Sequence, residues 1–232
     1  MSAAPEENML LGSLGARERL ALLRDDEPVR LQAGARIMIA SQPLAQVHFP
    51  IDCAISLVIE SGDRPLVEVG LIGREGMLGV PLILGIRQSS VSAFVQASGL
   101  AWRIDAARFG RCICANDRLR IHLQRYVHVH ITQLTDAAAC KHLHGLSERL
   151  ARWLLMSADR VRSNELALTH EYLSNVLGVR RAGTTQAARG LQERGLIDYS
   201  RGRITLVDRA GLESAACACY AREKKLYGFL TR

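Results

Sequence analysis

The spacing of apolar residues changes character along the chain, and each change predicts a different kind of element. Leu10–Arg24 has helical spacing and reads as one short amphipathic helix, after residues 1–9, which are expected to fray. From Val29 to Asp105 the apolar positions come in short β-rich runs: Val29–Leu31, Arg36–Ile39, Val47–Pro50, Ala54–Ile59, Leu66–Leu71, Ser90–Val95 and Ala101–Ile104. Gly34, Gln42–Pro43, Ser61–Gly62–Asp63 and Gly73 punctuate them. Short strands at this spacing predict an antiparallel barrel or jelly roll. Asp105 is placed to cap a short helix through Gly110.

The period then lengthens. Asp117–Lys141 carries Leu119, Leu123, Tyr126 with Val127, His130 with Ile131, Leu134 and Ala138 at intervals of three and four, which predicts one long helix. A stripe that long suits a coiled-coil-like helix pair, and so a homodimer; the alternative is a helix packed only on its own barrel. Gly145 marks a hinge. Ser147–Arg162 follows as a helix with Ser147 as N-cap and Leu150, Trp153, Leu154 and Ala158 inside. Arg209–Leu230 reads as a closing helix with Leu212, Ala216, Cys219, Leu226 and Phe229 on or near one face.

Between these lies Leu168–Tyr199, two short helices around a tight turn. Thr169 is the N-cap, and Tyr172, Leu173, Val176 and Leu177 give one apolar face. Gly178 stops the first helix, and Val179 plugs the turn. Arg180–Arg194 resumes the period with Ala187, Ala188 and Leu191 inward, and Gly195 ends it. This is the helix-turn-helix pattern. Its second helix carries Arg180, Arg181, Thr184, Thr185, Gln186 and Arg189 near its start and on its open face, where side chains of a recognition helix reach bases in the major groove. Arginine pairs bidentately with guanine and glutamine with adenine. Leu196–Tyr199 and Ile204–Val207 then form a hairpin, the wing, with Arg201 and Arg203 at its tip to meet phosphates.

Charge sharpens this reading. Residues 1–140 hold 14 Lys+Arg against 14 Asp+Glu, whereas residues 141–232 hold 16 against 9, so the whole +7 excess lies with the helix-turn-helix. A localised basic excess is the footprint of a nucleic-acid-binding module. No uncharged apolar run of about 18 residues suggests a membrane span, and the N-terminus lacks a signal-peptide pattern, so a cytoplasmic protein is expected. The fold class follows as α+β: a β-roll or jelly-roll sensor domain over 1–116, a long dimerisation helix and hinge over 117–144, and a winged helix-turn-helix over 145–232.

This order of elements resembles the Crp/Fnr family of bacterial transcription regulators, most specifically at Thr169–Ile197, and also at Val69–Gly85 (VGLIGREGMLGVPLILG) with its glycine-spaced turns. The resemblance implies a homodimer whose β-roll senses a signal, whose long helix transmits it, and whose winged helices bind palindromic double-stranded DNA and touch RNA polymerase. Residue by residue, it implies that Arg181 reads guanine and that Thr169 and Arg180 contact phosphate. Gln186 stands where many members have a second base-reading arginine, and Ala182 replaces a common base-reading glutamate. Arg180 also replaces the family's Ser N-cap, and Gly183 costs about 1 kcal/mol in a helix interior.

Cyclic-nucleotide members of that family hold the ribose with a glutamate and the phosphate with an arginine. Here Val80 and Val91 stand at those positions, so neither cyclic AMP nor cyclic GMP is expected as a tight ligand. Arg87, Ser89, Ser90 and Ser92 are read as a solvated loop. The N-terminal cysteine run of iron–sulfur members is absent, since the first cysteine is Cys53. Cys112 with Cys114 and Cys217 with Cys219 read as core and surface thiols, because i and i+2 diverge on a helix. Cys140, His142 and His144, with His122, His128 and His130 before them, read as ordinary side chains, so no metal and no cofactor is expected. A regulator responding through its cysteines or through a β-roll pocket is the alternative. A jelly-roll enzyme is a poorer fit: residues 29–105 hold one histidine, His48, and no Walker loop, nucleophile elbow or HExxH is present.

Overall fold

The computed structural model describes residues 7–24, 26–60 and 66–229. Seven strands build the first half: β1 (Val29–Leu31), β2 (Arg36–Met38), β3 (Gln46–Pro50), β4 (Ala54–Ile59), β5 (Val67–Ile72), β6 (Ser92–Ala97) and β7 (Gly99–Asp105). They form two antiparallel sheets, in the orders β1-β7-β3 and β2-β6-β4-β5. Phe49 lies opposite Trp102 in the first, and Leu57 opposite Ala93 and Gly70 in the second. Leu31, Met38, Ile55, Leu57, Ile72, Val95 and Ala101 share one core between the sheets. The expected β-roll is therefore present; its turn at Ser61–Gly62–Asp63 lies outside the described residues.

The N-terminal segment departs from expectation. It is two helices, α1 (Met9–Gly12) and α2 (Ala16–Leu23), broken because Gly15 is extended at ψ 154°. Within 1–9 the described residues are anchored: Asn8 is fully buried, and its amide donates to Pro50 O (2.7 Å) and Gly76 O (3.0 Å). A short helix α3 (Val80–Ile83) follows Gly79. Asp105 caps α4 (Ala106–Ala115) as expected, accepting from Arg108 N at 3.0 Å, and Asn116 caps α5 (Asp117–Leu143) through Leu119 N at 3.1 Å.

The apolar stripe on α5 faces inward more than the sequence suggested. Leu119, Leu123, Tyr126, Val127 and His130 are buried, the first four in the core shared with α1, α2 and β3. Of the stripe, Ile131, 56% exposed, and Ala138 lie outside, and Ile121, next to the stripe, is 49% exposed. After α5, Gly145 is itself the N-cap of α6 (Leu146–Val161): its N–H donates to Glu148 Oε2 at 2.9 Å, and Ser147, the expected cap, lies inside the first turn.

The second half contains β8 (Glu165–Ala167), α7 (His170–Leu177), α8 (Arg181–Glu193), β9 (Ile197–Ser200), β10 (Arg203–Leu206), α9 (Arg209–Ala215) and α10 (Cys219–Leu226), ending in a 3-10 turn, Tyr227–Phe229. The closing helix is thus two helices, because Ala216 turns extended at ψ 151°.

Helix α6 lies between the halves. Its fully buried Arg160 donates to Glu75 Oε1 (2.9 Å) in the β-roll and to Glu223 Oε1 (2.8 Å) on α10, while Arg152 reaches Glu223 Oε2 at 2.9 Å. Gly73 admits Arg160: a Cβ there would collide with the aliphatic stem of that side chain. Trp153 Nε1 donates to Glu68 Oε1 at 2.9 Å, and Tyr172 Oη shares a 2.7 Å hydrogen bond with Ser56 Oγ. No helix among the described residues is long and apolar enough to cross a membrane.

Candidate nucleic-acid interface

The helix-turn-helix is built from its caps inward. Thr169 Oγ1 accepts from Tyr172 N at 3.1 Å and starts α7. Gly178, at φ 66°, ends it in a left-handed conformation that glycine adopts without a Cβ penalty. Arg149 reaches across from α6 to the carbonyl of Leu177. Leu173, Val176 and Leu177 are buried, and Val179 is half-buried in the turn. Ala187, Ala188 and Leu191 of α8 complete the same core, with Leu150, Leu154 and Leu166. Small residues at 187 and 188 let two short helices cross closely.

Helix α8 begins without a side-chain cap, since Arg180 occupies that position. Its first N–H groups therefore keep capacity for an anion. Gly183 also has a packing reason: a Cβ would approach Leu146 Cδ2 to 3.3 Å, so glycine lets α8 seat on the start of α6.

Arg180, Arg181, Thr185, Gln186 and Arg189 are all exposed along α8. Thr184 departs from the sequence reading. It is fully buried and accepts from Ser174 Oγ at 3.2 Å, so it clamps α8 to α7 and presents nothing to a base. Residues 180, 181 and 185 fall on one side of the helix while 184 turns inward, a difference of one position that helical spacing alone left undecided.

The wing is a two-residue hairpin. Arg201 and Gly202 at its tip both have positive φ, 49° and 78°, the type I′ geometry that matches strand twist. Strand β10 pairs with both β9 and β8, so the wing is a three-stranded sheet. Gln192 Oε1 accepts from Tyr199 N at 3.3 Å and fixes the wing against α8. Arg201 is exposed, and Arg203 pairs with Glu165 at 3.2 Å and Arg189 with Glu193 at 2.8 Å. Exposed pairs of this kind contribute little, so an approaching phosphate can replace the carboxylate. The arrangement gives a rigid helix and a rigid hairpin, both with arginines outward, on one side of a packed core.

A second feature sits in the β-roll. Val80, Ser89, Ser90, Val91, His130 and Leu134 help to line a cavity of about 210 Å³ between the sheets and α5. Burial holds the His130 imidazole down to about 4, so its ring is neutral near pH 7. No charged side chain lines the cavity among the described residues. Arg87 is exposed and is not part of its lining, while Ser92, expected in a solvated loop, is fully buried and accepts from Ala40 N (3.1 Å) and Arg36 Nη2 (3.0 Å).

Residues 148–215 match the family model described as the Crp-like helix-turn-helix domain. Three solved structures are similar over nearly their whole lengths. A putative transcriptional regulator of the Crp/Fnr family from Eubacterium rectale is 19% identical, covering 90% of this chain and 98% of its own, at TM-score 0.69. A CRP-family transcriptional regulator from Thermus thermophilus is 18% identical, covering 81% and 96%, at TM-score 0.67. FixK2 from Bradyrhizobium japonicum is 14% identical, covering 83% and 98%, at TM-score 0.69. No curated protein matches the chain in sequence.

Proposed function

We propose that this chain, which carries a Crp-like helix-turn-helix domain on a fold of the Crp/Fnr type, is a transcription regulator that binds palindromic DNA as a homodimer and does so without a cyclic nucleotide. The observation that carries the reading is the outward row of Arg180, Arg181, Gln186 and Arg189 on α8, continued by Arg201 and Arg203 on the wing. In this reading Arg181 and Gln186 meet base edges, while Thr169, Arg180, Arg189, Arg201 and Arg203 meet phosphates. Thr185 faces the same groove from the exposed side of α8.

The β-roll cavity supports the second part. A cyclic nucleotide brings a negative phosphate, and its removal from water needs a charged or multiply hydrogen-bonded partner. Val80 and Val91 supply neither, and His130 is neutral. A small, largely apolar effector suits this cavity better, which keeps open a ligand-responsive regulator of the same class.

Fluorescence-anisotropy binding to a pool of genomic fragments at physiological salt tests both statements. Tight binding to a subset of fragments, falling with salt and indifferent to added cyclic AMP, is expected. Equal affinity for every fragment would refute sequence-specific reading, and binding that required cyclic AMP would refute the cavity argument.

A further inference from the structure

Two segments that lie far apart in sequence bring four metal-ligating side chains to one point. Cys140 and His144 are four residues apart at the end of α5 and share a face. Cys217 and Cys219 come from the break between α9 and α10, where Cys217 precedes the helix and Cys219 begins it. One donor atom from each of the four lies within 4.8 Å of every other. Cys140 Sγ is 3.5 Å from Cys217 Sγ, and Cys219 Sγ is 3.7 Å from His144 Nδ1.

We propose that Cys140, His144, Cys217 and Cys219 bind one Zn²⁺ in a closed tetrahedral site that fastens the end of the long helix to the C-terminal helices. With Zn–S bonds near 2.3 Å and Zn–N bonds near 2.0–2.1 Å, a tetrahedron has edges of about 3.8 Å between sulfurs and about 3.6 Å between sulfur and nitrogen. The two separations above lie within about 0.3 Å of these edges, so a small rotation of the Cys140 and Cys217 side chains seats the ion. Three thiolates and one imidazole form a Cys3His set, a ligand combination of structural zinc sites, and no open position remains for substrate. Donors this close converge on a single ion and leave no room for a polynuclear cluster.

The surroundings fit the charge. Three thiolates around Zn²⁺ leave a net charge of −1. Arg222 Nη2 donates to Cys219 Sγ at 3.9 Å, and the Arg152 guanidinium lies close enough to interact with Cys140, Cys217 and Cys219. The three cysteines are buried and form a cluster of their own, apart from the apolar cores. Without a cation, burial pushes the Cys217 thiol up to about 12, and burial together with the neighbouring Cys140 thiol raises Cys219. A coordinated divalent ion reverses that preference, because it binds the thiolates, and binding releases thiol protons to solvent.

Position gives the site a consequence. His144 is the C-cap of α5, next to the Gly145 turn into α6. Glu223, which pairs with Arg152 and Arg160, follows Cys219 on α10. A metal here clamps the connection between the β-roll with its long helix and the winged helix.

The full chain, purified under reducing conditions and analysed by plasma mass spectrometry, should carry one zinc per chain. After chelation, cobalt titration should give the visible bands of tetrahedral Co²⁺ with thiolate-to-metal charge transfer, saturating at one equivalent. Cys217→Ser and His144→Ala should weaken cobalt binding by roughly a hundredfold or more, whereas Cys112→Ser and Cys114→Ser should leave it unchanged. If the site variants do not fold, the apo wild-type chain decides: one equivalent of zinc should protect three thiols from alkylation. Substoichiometric metal with no cobalt spectrum, a Cys140–Cys217 disulfide as the stable form, or an iron–sulfur chromophore would each overturn the proposal.

Discussion

Tyr172 Oη donates to Glu68 Oε2 at 3.2 Å, so the first helix of the helix-turn-helix is held to the β-roll through a buried carboxyl group. Burial raises the pKa of Glu68, although Ser56, Trp153 and Tyr172 hydrogen-bond to it. The folded protein therefore holds this proton more tightly than the unfolded chain. The stability it contributes is present below the ordinary glutamate value of about 4.3 and is lost as pH rises through the raised one. Glu68→Gln keeps an acceptor for Trp153 and removes the charge. Urea denaturation should show the variant gaining on the wild type as pH rises above the ordinary glutamate value of about 4.3; parallel pH profiles from there upward would contradict this.

The interface reading separates three arginine and threonine roles. Arg181→Ala should cost about 1–3 kcal/mol of binding and relax preference at one base pair. Arg201→Ala should weaken all sequences alike and lower the salt slope by about one. Thr184→Val, which breaks the buried bond to Ser174, should lower stability by about 1–3 kcal/mol while the surviving folded protein keeps its sequence preference. Competition binding on operator and random DNA, with denaturation on the same samples, distinguishes the three.

These assignments also show what local sequence carries. Strand positions, the Asp105 and Thr169 caps and the Gly178 stop were legible because period and cap chemistry act within a few residues. The outward arginines were legible for the same reason. The inward turn of Thr184 was not, since it depends on Ser174 across the motif. The stripe on α5 was visible, but its partner was not: Tyr126 donates to Met77 O and accepts from Met77 N, a tertiary match. The break before Cys217 had no local signal, because Glu213–Cys219 is rich in residues that suit a helix. A continuous helix sends Cys217 and Cys219 to different faces, so nothing in the local sequence brings these two cysteines to Cys140 and His144.

Acid should loosen the β-roll through two histidines. Burial holds His48, with Arg103 adding to the effect, and His130 each down to about 4. The unfolded chain takes up these protons first. Stability is therefore complete above the ordinary histidine value of about 6.5 and is lost as pH falls from there towards 4, by up to about 3 kcal/mol per residue. The double variant His48→Gln with His130→Gln should lose less stability than the wild type between pH 6.5 and 4. Identical acid profiles would rule out this source.

Removing Arg160 leaves the buried Glu75 carboxyl group without its cation and leaves Glu223 with Arg152 alone. Arg160→Met should cost about 3–5 kcal/mol. Arg160→Lys should recover little, because one ammonium replaces a fork that reaches Glu75, Glu223 and Tyr227. Adding Glu75→Gln to Arg160→Met should cost less than the sum of the single changes, and a double-mutant cycle measures that coupling.

The proposed homodimer is testable on the face of α5 that its own barrel leaves uncovered. Ile121, Gln124, His128, Ile131, Thr135 and Ala138 recur at steps of three and four, the spacing of a coiled-coil seam. All six are exposed, and Thr135 has its hydroxyl bonded back to Ile131 O at 2.9 Å, so its methyl remains for packing. Burying two isoleucines from each of two chains is worth several kcal/mol at about 1.5–3 kcal/mol per side chain. Ile121→Glu with Ile131→Glu places like charges across that seam, leaves the inward stripe intact, and should shift the protein from dimer to monomer in sedimentation equilibrium. Affinity for a palindromic site should then fall much further than affinity for an isolated half-site, since only the palindrome uses both recognition helices at once. A double variant that stays dimeric would move the interface off this face of α5.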